Sequence, residues 1–359
     1  MPEASEERSA AERRWQRLSL GRKLRYLTEF VVASPFLAFV YALPEVVALG
    51  LARGVGRLAY YALRGRRRIG LANLAIAFPD LPDRERRRIL IRSLENLAQT
   101  AAEFVRLPRL SNEQIRERVT YPEGSRERIT ADQGHLLLTG HFGNWELIAI
   151  AYGLSTAPIY IVGRPIANPI FDGMVTRRRS KGGNILLQTG ETESAGHSVT
   201  EELKRGRVIG ILVDQYPSRR KGIQVPFFGK PAWCHRGPAI LAMRSGVPCV
   251  PGFARRDPNR RGHYQLDFRP PIFVDSSLRP RERLRVLTEQ FQKVVEDEIR
   301  RHPEEWLWTH RRWKRTPEGD DLYGDSGSSR RGRRRKRRPP GKGAKEASKN
   351  LKGVLSVLL

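Results

Sequence analysis

Leu136-Leu137-Leu138-Thr139-Gly140-His141-Phe142-Gly143-Asn144-Trp145-Glu146 is the stretch that decides the fold. Three successive leucines read as a short buried strand, and Gly140 and Gly143 permit a tight turn. Asn144 is a helix-capping residue, placed before Trp145-Glu146-Leu147-Ile148-Ala149-Ile150. Strand, turn and helix in this order is how α/β proteins hold reactive groups at the carboxyl end of a strand. His141 falls in the turn and Glu146 in the first helical turn, from which its carboxylate can fold back toward the imidazole. A neutral imidazole held by a carboxylate can take a proton from an alcohol as that oxygen attacks a carbonyl. The acid fixes the tautomer and stabilises the imidazolium. No G-x-S-x-G motif accompanies the pair and neither cysteine lies in the turn. The attacking hydroxyl would therefore belong to a second substrate, giving direct acyl transfer without a covalent intermediate, with helix-start N–H groups as oxyanion donors. The plain alternative is that His141 ends a strand and Glu146 pairs with a basic surface group. The local pattern alone leaves both open.

Apolar strand candidates at 159–162, 185–187, 208–213 and 249–253 alternate with helical segments near 168–180, 194–205 and 236–246. A β pair is expected between 264–268 and 272–274, then a long amphipathic helix over 281–301. Residues 55–110 read as helices; over 84–103, Ile89, Leu90, Ile91, Leu94, Leu97 and Ala101 form an apolar stripe among arginines. No internal repeat is found. The expected class is α/β, with a mixed, mostly parallel central sheet flanked by helices.

The 359 residues suffice for a substantial core, read as one catalytic domain with appendages. Lysine and arginine outnumber aspartate and glutamate 66 to 38, a net charge of +28, which favours acidic or phosphate-rich partners. Cys234 and Cys249 are the only cysteines, so no disulfide framework is expected and a reducing compartment fits. No cysteine–histidine group has zinc spacing, and no metal is expected. Up to about Arg25 the chain is basic and amphipathic. Apolar sequence then runs from Phe30 to Pro44 and from Val46 to Ala52. It reads as a membrane anchor or embedded hairpin, with a pair of buried core helices as the alternative, since Glu29, Glu45, Pro35 and Pro44 interrupt it. From about Pro317 the chain is a basic tail, nearly pure arginine over 330–338, that cannot build a core and is expected to be disordered; its last six residues are apolar. No aromatic residues interleave the basic run, which argues against nucleic acid as a partner. The expected organisation is 1–55 basic segment and anchor, 56–316 catalytic domain and 317–359 tail.

His141-Phe142-Gly143-Asn144-Trp145-Glu146 resembles the signature of the lauroyl/myristoyl acyltransferases of lipid A biosynthesis. Further blocks follow in the family's order. The run Arg66-Arg67-Arg68 leads into Ile69-Gly70-Leu71-Ala72-Asn73-Leu74 and Ala77-Phe78-Pro79, similar to the entry helices. Gly163-Arg164-Pro165 with Asn168-Pro169 resembles the second block. Val213-Asp214-Gln215 and Val225-Pro226-Phe227-Phe228-Gly229-Lys230-Pro231-Ala232 resemble the third, and Pro303 to Trp313 the closing one. The likeness runs from about residue 40 to 315 and leaves out the tail. It implies a glycerolipid-acyltransferase-like core with an N-terminal helical anchor, on the cytoplasmic face of the bacterial inner membrane. The implied reaction moves a fatty acyl chain from acidic acyl carrier protein, or acyl-CoA, to a hydroxyl of a phosphorylated lipid A precursor, with no cofactor. It also implies that His141 is the base, Glu146 its partner and Arg164 a contact to substrate phosphate or thioester. Asp214, Gln215, Phe228 and Gly229 are implied substrate-binding residues. For Asp214 a loop-orienting role stands equally, and for Phe227-Phe228-Gly229 a packed turn lining the acyl pocket. Another phospholipid or glycolipid acceptor, or a non-catalytic protein binding anionic lipid or nucleic acid, are the competing functions.

Overall fold

The computed structural model describes residues 11–129, 133–188, 199–217, 219–314 and Tyr323. Among these, nine strands form: β1 (Val119–Thr120), β2 (His135–Thr139), β3 (Ile159–Gly163), β4 (Ile185–Gln188), β5 (Val208–Leu212), β6 (Gly222–Phe227), β7 (Lys230–His235), β8 (Cys249–Arg256) and β9 (Tyr264–Phe268). Seven of them make the central sheet in the order β1-β9-β8-β2-β5-β3-β4, and β6 and β7 make a separate hairpin. Every neighbouring pair in the central sheet is parallel except β8 with β9, so the expected mixed, mostly parallel class holds. All five residues of β2 are buried, which is why its sequence is continuously apolar rather than alternating. The strand expected at 264–268 forms, but it pairs with β8 and not with 272–274. Ile272 instead makes one antiparallel bridge to Cys249, exchanging both backbone hydrogen bonds with it.

Helices α1 (Leu20–Ala42), α2 (Glu45–Ala62), α3 (Arg64–Ala77) and α4 (Asp83–Arg106) precede the sheet. Further helices along the chain are α5 (Asn112–Glu117), α6 (Trp145–Ser155), α7 (Pro169–Arg179), α8 (Gly237–Ser245) and α9 (Pro280–Arg301). On α9, Leu287, Phe291, Val295 and Ile299 recur every four residues and are buried, on a helix that packs against the β6–β7 hairpin and α8. α2 runs through residue 55, the boundary read between anchor and domain, and lies against α4. Gly56 makes that approach possible: a Cβ there would stand 2.4 Å from the Leu94 carbonyl oxygen. α1 is long and apolar enough to cross a membrane, whereas α2 and α3 are bent by 90° at their junction. Buried residues on α1 are few, Glu29 and Ala33, while Leu20, Val31, Val32, Phe36 and Phe39 are exposed.

The tail expected beyond residue 316 falls outside the described residues apart from Tyr323, and the first ten residues fall outside too. Tyr323 is buried; its hydroxyl accepts from the Trp313 backbone N–H at 2.8 Å and donates to Asn73 Oδ1 at 2.5 Å.

Candidate active site

The sheet sets the site. β2 and β5 run parallel with Thr139 opposite Leu212, and Val213 N–H continues the ladder to the Thr139 carbonyl at 2.9 Å. Two residues past these strand ends stand His141 and Asp214, which the register brings together across 73 residues of chain. β2 lies between β5 and β8, a position where the chain's path diverges and a crevice opens beyond the carboxyl ends. His141 Nδ1 lies 2.9 Å from Asp214 Oδ1. Asp214 Oδ2 accepts the His141 backbone N–H and the Trp306 indole N–H, each at 2.8 Å. Burial alone would raise the Asp214 pKa; the His141 imidazole and these three donors outweigh it and hold the carboxyl well below the usual carboxylate range. An ionised acceptor on Nδ1 keeps the ring proton there and leaves Nε2 as the basic nitrogen. Nε2 has the Gln215 side-chain nitrogen 3.0 Å away.

Glu146 does not hold the imidazole as the sequence suggested. Arg179 takes its carboxylate in a two-pronged pair, Nε to Oε2 at 2.8 Å and Nη2 to Oε1 at 2.6 Å. The cause is local: Asn144 caps α6 by accepting from Leu147 N–H, which sets Glu146 in the first turn opposite the last turn of α7. Burial raises the Glu146 pKa, Arg179 lowers it by more, and the net shift is downward. His141, Glu146, Arg164, Arg178 and Arg179 share the wall of one cavity of about 240 Å³. Leu37, Leu97, Ala101 and Val105 also line it, and they continue into an apolar groove of about 330 Å³ between α1, α2 and α4. The basic nitrogen of a histidine therefore sits where an aliphatic chain and a charged group could meet.

A buried polar frame fixes the turn. Gly143 has φ +56°, and a Cβ on it would lie 1.9 Å from the Ala254 oxygen, so only glycine fits. Gly143 N–H donates to the Glu305 carbonyl at 2.9 Å, and Leu307 N–H to the His141 carbonyl at 3.0 Å. Asn144 Nδ2 donates to Glu103 Oε2 and the Tyr264 hydroxyl. Arg256, buried behind them, donates to both Glu103 oxygens, Tyr264 and Thr100. Burial pushes the Glu305 carboxyl up to about 7, with Arg256 opposing.

A family model for bacterial lipid A biosynthesis acyltransferases matches residues 16–315. The chain is 30% identical over 283 residues to the lipid A biosynthesis lauroyltransferase of Escherichia coli (strain K12), covering 78% of this chain and 89% of that one. It belongs to this acyltransferase family. The lipid A biosynthesis palmitoleoyltransferase of the same organism is 25% identical over 285 residues, 78% of this chain and 90% of the relative. A phosphatidylinositol mannoside acyltransferase of Mycolicibacterium smegmatis (strain ATCC 700084 / mc(2)155) is 28% identical over 220 residues, 59% and 70% of the two chains.

In this acyltransferase the structure gathers His141, Glu146, Arg164, Asp214 and Gln215, and leaves out Phe228 and Gly229. Those two form the tight turn of the β6–β7 hairpin, with φ +52° and +68°. Phe228 is buried against Phe78, Trp308 and Trp313 with the Arg300 guanidinium over its ring, outside both the cavity and the groove. Phe228 thus forms a packed turn, but one that lines neither the cavity nor the groove. Trp306, in the closing block, is core by burial and also holds Asp214. Its spacing in sequence carries no trace of that second job.

Proposed function

We propose that this acyltransferase moves a fatty acyl chain from an acyl carrier protein or acyl-CoA thioester to a hydroxyl of a phosphorylated lipid A precursor, at the cytoplasmic face of the inner membrane. The observation that carries the reading is the His141 imidazole, oriented by buried Asp214, with Nε2 beside a cavity continuous with an apolar groove. Nε2 takes the proton of the acceptor hydroxyl as its oxygen attacks the thioester carbonyl. The carbon–sulfur bond then breaks, and the departing thiolate takes the proton from the imidazolium, which restores the base. Asp214 stabilises the imidazolium through this step. The Glu146–Arg179 pair shapes the cavity wall, and Arg164, exposed on its rim, meets charge on a substrate. The chain's excess of positive charge suits an acidic carrier protein and acceptor phosphates. The mycobacterial relative supports one second reading, a glycosylated phospholipid as acceptor.

The test supplies purified protein with carrier-protein and CoA thioesters, a lipid A precursor and a phosphatidylinositol mannoside, and reads products by mass. The expected result is an acylated lipid A precursor, lost in His141→Ala while circular dichroism stays native. Normal turnover by His141→Ala would refute the base assignment, and acylation of the mannoside alone would establish the second reading.

A further inference from the structure

Helix-start N–H groups, the oxyanion donors expected from the sequence, are mostly spent holding the catalytic turn. His141 N–H goes to Asp214 Oδ2, Phe142 N–H to the Gly140 carbonyl at 2.7 Å and Gly143 N–H to the Glu305 carbonyl. Asn144 N–H goes to the Ala254 carbonyl at 3.0 Å, and Leu147 N–H is taken by the Asn144 cap. At the start of α6, Trp145 and Glu146 N–H are left without an acceptor among the described residues. A side-chain donor stands at the reacting nitrogen itself: the Gln215 nitrogen is 3.0 Å from His141 Nε2. With the ring proton on Nδ1, Nε2 is an acceptor, so Gln215 turns its amide N–H toward it.

The backbone is fastened on both sides of Gln215. Before it, the Val213 carbonyl accepts from Gln292 at 3.0 Å and the Asp214 carboxylate holds its three donors. After it, Tyr216 N–H donates to His310 Nε2 at 2.8 Å. Burial pushes the His310 imidazole down to about 4, so the ring is neutral and able to accept. The His310 carbonyl is itself held, by Asn73 Nδ2 at 2.6 Å and Arg312 N–H at 2.9 Å. Proton transfer then changes what Gln215 faces. Once Nε2 takes the proton of the acceptor hydroxyl it becomes a donor and no longer accepts the amide N–H. The same step puts negative charge on the thioester oxygen, two bonds from the attacking atom. The amide loses one acceptor as a stronger one forms beside it, an interaction gained only in the transition state. We propose that the Gln215 side chain is the oxyanion donor of acyl transfer, and that His310 is a positioning residue that sets it there through the Tyr216 backbone. This role rests on the acyl-transfer reading above, but binding of an oxyanion mimic checks it without turnover.

Dodecylphosphonate, an aliphatic chain ending in a tetrahedral anion, stands in for the intermediate, and dodecanol supplies the chain alone. By calorimetry on the full chain in zwitterionic detergent, Gln215→Ala is expected to bind the phosphonate about tenfold more weakly than the parent, the worth of one charge-assisted hydrogen bond, and to bind dodecanol equally. No binding of the phosphonate by the parent, or equal binding by both proteins, overturns the assignment whether or not the chain transfers acyl groups. In turnover, Gln215→Ala should lower kcat about 10²-fold with KM for donor and acceptor little changed. A dithioester donor, with sulfur in place of the carbonyl oxygen, distinguishes this from loss of shape. Sulfur accepts hydrogen bonds weakly, so the parent should slow on this donor and Gln215→Ala should slow far less. Equal slowing of the two would give the oxyanion to Trp145 and Glu146 N–H instead. His310→Ala should share both the fall in kcat and the diminished sulfur effect. His310→Gln, whose side-chain carbonyl can accept from Tyr216 N–H, should restore them. Full kcat in His310→Ala, or a lowered kcat with the sulfur effect intact, removes His310 from the positioning role.

Discussion

The chemistry turns on which carboxylate holds His141, and Asp214 and Glu146 answer differently to substitution. Asp214→Asn keeps shape and still accepts from Trp306 and the backbone, but its amide donates to Nδ1 and forces the proton to Nε2. The wrong tautomer cannot act as base, and kcat is expected to fall by about 10⁴, as for the same change in a serine-protease triad, with little change in Tm. Glu146→Gln instead leaves the partly buried Arg179 beside the cavity without its counter-charge. Its activity loss should come with about 3 kcal/mol of lost stability. Thermal denaturation beside single-turnover rates separates the two. Full kcat in Asp214→Asn, with loss in Glu146→Gln at unchanged Tm, would return the orienting role to Glu146. His141 was legible because glycines and a cap residue mark its turn within a few positions. The role of Asp214 was not, because it follows from β2 and β5 lying side by side, and no local pattern states which strands are neighbours.

The elements around the turn were mostly readable, since amphipathic helices and buried strands announce themselves by period; the β6–β7 hairpin was not, because Pro226 and Pro231 stand inside its strands, nor was the partner of β9, because a strand's pattern does not name its neighbour. The segment after α9 shows how such pairings do functional work. Its backbone docks on the catalytic turn through Gly143 and Leu307, and it carries Glu305 into the interior with one carboxylate oxygen unpaired. In the folded chain Glu305 keeps its proton up to about pH 7, whereas its ordinary pKa is 4.5. Between those values the unfolded chain binds fewer protons than the folded one, so stability falls as pH rises. The loss reaches about 3 kcal/mol and levels off above pH 7. Glu305→Gln removes the titrating group and keeps the backbone contacts. Its Tm should match the parent near pH 4.5 and exceed it at pH 8. Parallel Tm profiles for the two proteins would show that Glu305 is ionised in the fold.

Over the whole molecule, exposed apolar surface gathers on two helices. Among the described residues, the large exposed hydrophobic ones lie on α1 and α2 with the single exception of Phe273, and the groove that reaches the His141 cavity is lined from these helices and α4. A lipid surface is the medium in which such a face is stable, and it would admit chains sideways into the groove. Composition suggested either a span or an embedded hairpin, and the packing of α1 separates these. Glu29 accepts from Asn168, the residue that caps α7, and Phe30 stacks near Phe171 at 5.8 Å, so α1 is tied along its middle to the domain that holds the site. Crossing the bilayer would tear Glu29 from Asn168 and Arg25 and bury a carboxylate in hydrocarbon, which costs several kcal/mol. α1 is therefore expected to lie in the plane of the membrane, its exposed face down. Leu20→Cys and Tyr41→Cys, near its two ends, put this to a direct measurement, because both native cysteines are buried and should label slowly. In sealed inverted vesicles an impermeant maleimide should reach both introduced thiols from the outside without detergent. Labelling of one alone, with the other reached only after the vesicles are opened, would mean that α1 crosses.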